Sequence, residues 1–274
     1  MPVINTNVNA MFAQGALKIN GRSLSQAMQQ LSTGARINSA GDDAAGLAIG
    51  QTMTAQIRGL TQAVRNANDG ISMLQTAEGS MNEQSNILQR MRELAVQAAT
   101  ATYSSAQRGY LQTEFSALST QIDNIASQTT WNGMYILDGS ENSGDFVLQV
   151  GALSGQTITV TIGNVSTSSS GLSVSGDIST ASGAISALTV IDDALDTLND
   201  TRATIGAGIN QLTYAADNLT NVMQNYSNSR SQIIDTDYAT ATTQLARSQI
   251  IQQAATAMLA QANQAPQTVL ALLK

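Results

Sequence analysis

The residues whose types and spacing could do chemistry are two adjacent carboxylate pairs, Asp42-Asp43 and Asp192-Asp193. Paired carboxylates can divide proton transfer between them or bind a hard cation. Each pair stands instead where a helix starts or where a charged face meets solvent, and acidic side chains are favoured at helix starts without any chemistry. Gly206-Ala-Gly208 follows no predicted strand, so it does not indicate a dinucleotide-binding loop.

Histidine and cysteine are both absent from the 274 residues. Their absence excludes the usual zinc sites and the Ser-His and Cys-His nucleophile pairs, and it leaves the redox compartment undetermined. Met53, Met81 and Met91 fall on a helical seam, where methionine fills a core rather than binding a ligand. We therefore expect no enzymatic activity, no cofactor and no metal.

The charge balance also limits the possible partners. The chain has a net charge of −7 and only 12 basic residues, scattered singly, which argues against nucleic acid. The N-terminus lacks the basic start and apolar core of a secretory signal. We expect the protein either to remain in the cell or to leave by a route that does not read a cleavable signal.

The chain ends in a stretch that carries no ionised side chain between Arg247 and Lys274. Glutamines and asparagines interrupt it every few positions, so it is too polar for a membrane span, which needs about 20 predominantly apolar residues. A helix facing water normally carries charges on its outer side. The remaining possibility is a helix covered on most sides by protein, and the expected cover is another copy of the same chain.

Apolar residues recur at helical spacing along most of the chain. A first seam predicts a helix that ends near Gly34, a favoured residue after a helix; its members are Ala10, Leu17, Leu24 and Leu31. Ser39 and Asp42 have the spacing of a capping box. They precede a second helix, predicted for residues 43–99, and a third is predicted for residues 104–128.

The pattern changes in the middle of the chain. A turn at Trp131–Met134 ends the helical run, and a period of two within residues 134–162 predicts a β-hairpin. Residues 165–184 are rich in Ser, Thr and Gly and predict a loop with room for one more strand. From Leu188 to Ile233 the three-four stepping returns, and it predicts a long helix that packs against the stripe of residues 53–88.

The predicted fold is mainly α: a long antiparallel coiled-coil-like bundle with a small β-hairpin region and paired N- and C-terminal helices. We divide it into an inner N-terminal helix (residues 1–42), outer helices with the hairpin (43–178), a returning outer helix (179–234) and an inner C-terminal helix (235–274). Ordering the backbone costs about 1–2 kcal/mol per residue. The terminal segments hold few large apolar side chains, so we expect them to be loose in the free subunit and to fold on assembly.

Four stretches resemble the signatures of bacterial flagellins. They are LSTGARINSAGDDAAGLAI at residues 31–49, QRMRELAVQ at 89–97, IDTDYA at 234–239 and QQAATAMLAQAN at 252–263. They lie in the family's order at both ends of the chain. Gly41 stands where a larger residue is usual, Gly206-Ala-Gly208 adds a helix glycine, and the short middle implies a short form without the family's large outer domains.

The resemblance implies a structural subunit of the flagellar filament, the helical propeller for swimming. Such a subunit is exported unfolded by a type III route, secreted from the cell and polymerised with its copies. The implied partners are the filament cap, the hook-junction proteins and an export chaperone, with no nucleic acid or membrane. The paired termini form the inner tube, and the residues expected to pack there are Leu17, Leu24, Leu31, Leu245, Ile250, Ile251, Met258, Leu259, Leu270 and Leu273.

Two further expectations follow from the resemblance. The family's contacts with the flagellin-sensing Toll-like receptor of the host fall on Gln89, Arg90, Leu94, Gln97 and Glu114, so Leu94→Asp is expected to abolish receptor stimulation. Alternatively, Arg90 and Glu114 simply lie on charged faces of two packed helices. The hairpin near residues 134–162 is our hypothesis for the switch between protofilament packings. A hook–filament junction protein is the alternative function, disfavoured by the close match of residues 89–97.

Overall fold

The computed structural model describes residues 6–168 and 170–271, without the side chains of residues 142 and 265–271. Its helices are α1 (Val8–Thr33), α2 (Ala44–Ala99), α3 (Ser105–Gln128), α4 (Ala181–Ile234) and α5 (Tyr238–Ala271). Two antiparallel hairpins are formed by β1 (Thr130–Trp131) with β2 (Met134–Tyr135) and by β3 (Asp145–Gln149) with β4 (Thr157–Thr161). The predicted fold class, a mainly helical bundle with a small hairpin region and paired terminal helices, is confirmed.

The chain divides into two compact units. The terminal unit comprises Met1–Ile57 with Gln224–Lys274, and the central unit comprises Arg58–Met223. Helices α2 and α4 contribute residues to both units. The four-part division predicted from the sequence refers to layers of a filament, and it stays a prediction.

Local capping explains where the helices begin and end. The Asn7 side chain accepts a hydrogen bond from the amide of Ala10 at the start of α1, and Gly34 ends the helix with a φ of 70°. Glycine adopts this left-handed conformation without steric cost, so the predicted end is confirmed. At the start of α3, Ser104 and Gln107 form a reciprocal capping box.

The start of α2 differs from the prediction. The Asp42 carboxylate bends back to accept from the amides of Asn38 and Ser39, at 3.1 and 2.9 Å. The helix is capped instead by Asp43, whose Oδ1 accepts from the Gly46 amide at 2.9 Å. The predicted capping box of Ser39 with Asp42 is therefore corrected, because the acid stabilises the preceding turn rather than the helix.

The core of the central unit lies between α2, α3 and α4. Arg92 of α2 pairs with Asp192 of α4 at 2.7 Å, and Thr61 contacts Met223 at 3.3 Å, so the two long helices run antiparallel. The largest fully buried side chains come from all three helices and the segments between them: Leu74, Met81, Leu88, Met91, Leu94, Ile122, Ile136, Leu137, Ile162, Ile178, Ile191 and Leu198.

The hairpin β3–β4 packs on glycines of the long helices. Leu148 of β3 lies against Gly70 of α2, and Val160 of β4 lies against Gly208 of α4. A helix glycine costs about 1 kcal/mol relative to alanine. At these two positions the absent side chain makes room for the strand, whereas Gly206 faces open space.

This difference predicts opposite effects for two neighbouring substitutions. Gly206→Ala should raise the free energy of unfolding by about 0.5–1 kcal/mol, because a methyl group there meets nothing within 4 Å. Gly208→Ala should lower it by about 1–3 kcal/mol, because its Cβ would lie 2.9 Å from Val160 Cγ2 and displace the hairpin. Urea unfolding of the two variants measures both changes in the free energy of unfolding. Equal changes would count against the packing of the β3–β4 hairpin on Gly208.

The Ser- and Thr-rich segment after β4 is a loop in residues 162–168 and 170–180, as predicted, and these residues do not form the additional strand for which the prediction left room. Side chains of α3 satisfy its backbone in place of a partner strand. The Asp123 carboxylate accepts from the amide and hydroxyl of Thr167, both at 2.7 Å, and Gln112 accepts from the Ile178 amide at 2.7 Å. Helix α4 then starts at Ala181, before the apolar stepping becomes regular.

In the described part of the chain, no helix combines the length and the apolar character that crossing a bilayer requires.

Candidate assembly surface and receptor face

The loop from α1 to α2 pairs with the loop from α4 to α5 in the terminal unit. Ala35 and Asp235 form an antiparallel bridge, flanked by hydrogen bonds from Arg36 N to Ile234 O (2.6 Å) and from Thr236 N to Gly34 O (2.9 Å). The Arg36 guanidinium donates to Ile233 O at 2.7 Å. Two of the sequence signatures, far apart in the chain, thus meet in one structure, here named the paired-loop joint (residues 34–43 and 233–237).

Two carboxylates stabilise the turns of this joint. Backbone hydrogen bonds from Ser39 and Asn38 lower the pKa of Asp42 below its usual value. The Thr240 hydroxyl and the Ala239 amide lower the pKa of Asp237. Because folding depresses both pKa values, their contribution to stability is present above the unfolded value, about 3.9, and is lost as the pH falls through the folded pKa.

Helices α1 and α5 form the terminal pair, in which Cα atoms of the two helices repeatedly approach within 8 Å. The side chains along the contact are small or polar. Asn20 Nδ2 donates to Ser248 O at 2.7 Å, and Asn7 Nδ2 donates to Ala262 O at 2.8 Å. This register places Ala27 opposite Ala241 and Ala13 opposite Ala255.

The seam predicted for α1 is corrected by this contact. The buried residues of α1 are Ala10, Asn20 and Ala27. The leucines of the predicted seam flank the contact and are only half-buried. Close approach of the two backbones requires small residues, so Ala and Asn occupy the centre. Sequence reasoning missed Asn20 and Ser248; the available signal was the heptad spacing of Ala13, Asn20 and Ala27.

The terminal pair leaves large apolar side chains uncovered. Ile250 and Met258 of α5 are each 66% exposed, and Phe12 of α1 is 83% exposed. A cleft of about 580 Å³ opens between the helices, lined among others by Phe12, Ala13, Ala255 and Met258. Exposed apolar surface of this extent is typical of an interaction site.

The predicted inner-core residues divide by exposure. Half-buried are Leu17, Leu24, Leu31, Leu245 and Leu259; exposed are Ile250, Ile251 and Met258. The side chain of Leu270 and the whole of Leu273 lie outside the described residues. The packing of this set in a filament remains a prediction.

The predicted receptor residues lie in the central unit. Gln89, Arg90 and Glu114 are exposed, and Arg90 bridges α2 and α3 through a 2.9 Å ion pair with Glu114 and a 2.8 Å pair with Glu93 on its own helix. Both carboxylates raise the pKa of Arg90. Gln97 is half-buried and donates to the Tyr103 hydroxyl at 2.9 Å.

Leu94 is the exception among the predicted receptor residues. It is 1% exposed and belongs to the central core. A helix packed by two others buries more than one stripe, so Leu94 points inward even though it lies within the matching motif. The expectation of a direct contact from its side chain is therefore corrected: Leu94 is part of the core, and recognition of the neighbouring exposed residues by the receptor stays a prediction.

Two family models of bacterial flagellins match most of the chain. Residues 4–142 match the bacterial flagellin N-terminal helical region, and residues 188–273 match the flagellin C-terminal helical region. A flagellin of Halalkalibacterium halodurans is 44% identical over 273 residues, covering 99% of this chain and 100% of the relative. A flagellar filament 33 kDa core protein of Treponema phagedenis is 40% identical over 285 residues, covering 99% and 100%.

Two solved structures resemble the chain. The crystal structure of Bacillus cereus flagellin is 33% identical with a TM-score of 0.51, covering 57% of this chain and 88% of that one. A putative flagellar hook-associated protein from Vibrio parahaemolyticus, 15% identical with a TM-score of 0.57 over 71% of this chain and 100% of its own, shares the fold.

The chain belongs to the bacterial flagellin family. It is a structural protein that polymerises with itself into the flagellar filament, and not an enzyme. Full-length coverage of relatives of similar size agrees with the short form expected from the sequence.

Proposed function

We propose that the terminal pair forms the inner tube of the filament and that the central unit forms the outer tube. The observation that carries this proposal is the part of α5 after Arg247, which has no charged side chain and on which Ile250 and Met258 remain 66% exposed in the single subunit. Burying a large aliphatic side chain contributes about 1.5–3 kcal/mol. This free energy is gained when another copy of the chain covers the two side chains. It is not gained while they remain in contact with water.

The proposal includes export of an unfolded subunit, assembly under the filament cap, contact with hook-junction proteins and binding of an export chaperone before export. The resemblance supports these partners. The β3–β4 hairpin, seated on helix glycines, is our candidate for the switch between protofilament packings.

Seeded assembly tests the leading function against a hook–filament junction protein, the alternative. Purified subunits mixed with sheared filament fragments should grow long filaments, visible by negative-stain microscopy. Persistent monomers under the same conditions would favour the junction protein. The hook-associated neighbour, at 15% identity, bears on the fold alone and does not decide between them.

We also propose that the exposed face of α2 and α3 is recognised by the flagellin-sensing Toll-like receptor of the host. Gln89, Arg90 and Glu114 are exposed on this face, and the ion pair of Arg90 with Glu114 fixes one side chain relative to the other. Exposed pairs of this kind add little to folding, because water screens the attraction and two long side chains must be ordered. Replacing these residues therefore changes recognition without changing the fold.

Arg90→Ala should weaken stimulation of receptor-bearing cells about tenfold or more, because arginines in interfaces often carry much of the binding energy. Arg65→Ala is the matched control: it removes an exposed arginine of the same helix, far along α2 from the predicted receptor residues. Its stimulation should stay close to that of the unchanged protein. Undiminished signalling from an Arg90→Ala, Glu114→Ala double variant would remove the receptor proposal.

A further inference from the structure

A buried polar contact lies at the centre of the terminal pair. Asn20 is 8% exposed and Ser248 is 1% exposed, and the amide of Asn20 donates to the Ser248 carbonyl at 2.7 Å. Asn7 makes the same kind of bond to the Ala262 carbonyl at 2.8 Å. Residues 248 and 262 are two heptads apart, so both carbonyls lie on one stripe of α5.

The apolar pattern of α5 does not select the side that meets α1. Alanines and larger aliphatic residues occur all round this helix, and charged side chains are absent between Arg247 and Lys274. The positions on its contact stripe, such as Ala241 and Ala255, are small, so little apolar area favours one rotation over another. A directional polar contact can select one arrangement where apolar packing does not.

We propose that Asn20, with Asn7 as a second contact at the start of α1, acts as an amide clamp that fixes the rotation of α5 about its own axis against α1, and that the buried bond of Asn20 makes the main contribution. The clamp thereby decides which side chains of α5, among them Ile250 and Met258, stay free for neighbouring subunits. Only the statement that neighbouring subunits contact these free side chains rests on the proposed function. The clamp itself is a property of the single subunit.

The alternative rotations lose these bonds. Turning α5 by one residue, about 100°, moves the Ser248 carbonyl away from Asn20 and brings Gln249 or Arg247 to the contact. Those side chains are larger than serine, whereas the buried positions of the contact are occupied by Ala, Asn and Ser. The paired-loop joint fixes where α5 begins, whereas the two amide bonds act further along the helix, at the carbonyls of Ser248 and Ala262.

Engineered disulfides in this cysteine-free chain test the clamp. Ala13→Cys is combined either with Ala255→Cys, which lines the same cleft, or with Thr256→Cys, one residue further round the helix. In dilute subunits the first pair should cross-link about tenfold more than the second, as expected for one buried hydrogen bond. Asn20→Leu should reduce the ratio to about twofold or less, although leucine adds apolar surface.

Ser248→Ala is the matched control, because it removes a buried hydroxyl without a partner and keeps the carbonyl that Asn20 holds. It should retain the tenfold ratio. Asn20→Asp, which keeps the size and removes the donor, should lose it as leucine does. Far-UV circular dichroism confirms that each variant is helical.

The clamp would be overturned if the ratio of cross-linking between the two cysteine pairs were unchanged in both Asn20 variants. It would also be overturned if the two pairs cross-linked equally in subunits that keep Asn20. Seeded assembly is measured separately, on variants without cysteines. Subunits that keep the cross-linking preference and fail to polymerise would count against the proposed inner tube and not against the clamp.

Discussion

Subunits that carry Ile250→Glu together with Met258→Glu are expected to stay out of filaments. Both side chains are 66% exposed in the single subunit, so the free protein should keep its stability. Burying an unpaired carboxylate between copies costs several kcal/mol per charge. The critical concentration for seeded growth should therefore rise about a hundredfold or more, as measured by sedimentation of polymer at a series of subunit concentrations.

The matched control for this experiment is Met258→Leu, which keeps an apolar side chain of similar volume. Its critical concentration should stay within about threefold of the unchanged protein. Normal filaments from the double glutamate variant would mean that this face of α5 meets water in the assembly, and the proposed inner tube would have to be abandoned.

Leu94→Asp is expected to unfold the central unit rather than to remove a receptor contact. Leu94 is 1% exposed within the core, so the substitution buries a carboxylate and removes most of an aliphatic side chain. Together these effects should lower the free energy of unfolding by about 3–5 kcal/mol. Urea denaturation measures the loss, and reduced signalling by this variant would report unfolding.

Val96→Asp provides the comparison on the same helix. Val96 is 50% exposed, so its replacement should change the free energy of unfolding by no more than about 0.5–1 kcal/mol. If Leu94→Asp unfolded at the same urea concentration as the unchanged protein, the position of Leu94 in the core would be wrong.

The long helices and the hairpin could be predicted because their signals are local. Apolar residues repeat at helical spacing over many turns, and the change to a period of two marks the strands. The end of α1 at Gly34 and the start of α3 at Ser104 follow from capping chemistry. Such signals need no knowledge of what a segment packs against.

The features that sequence reasoning missed depend on contacts between distant segments. The paired-loop joint is built from backbone hydrogen bonds between residues 34–36 and 234–236, which side-chain patterns do not encode. Asn20 was missed because a polar residue rarely lies at the centre of a seam. Leu94 was misplaced because α2 is covered on two sides, so a residue off the main stripe is also buried.

The central claim is that α5, which has no charged side chain after Arg247 and is incompletely covered by α1, is covered on its remaining sides by other copies of the chain. Hydrogen–deuterium exchange of the same protein, as dilute subunit and as filament, tests it most directly. The account predicts that amides of residues 248–260 exchange about a hundredfold or more slowly in the filament, whereas core amides around Leu88 change little. Equal protection of residues 248–260 in the dilute subunit and the filament would contradict it.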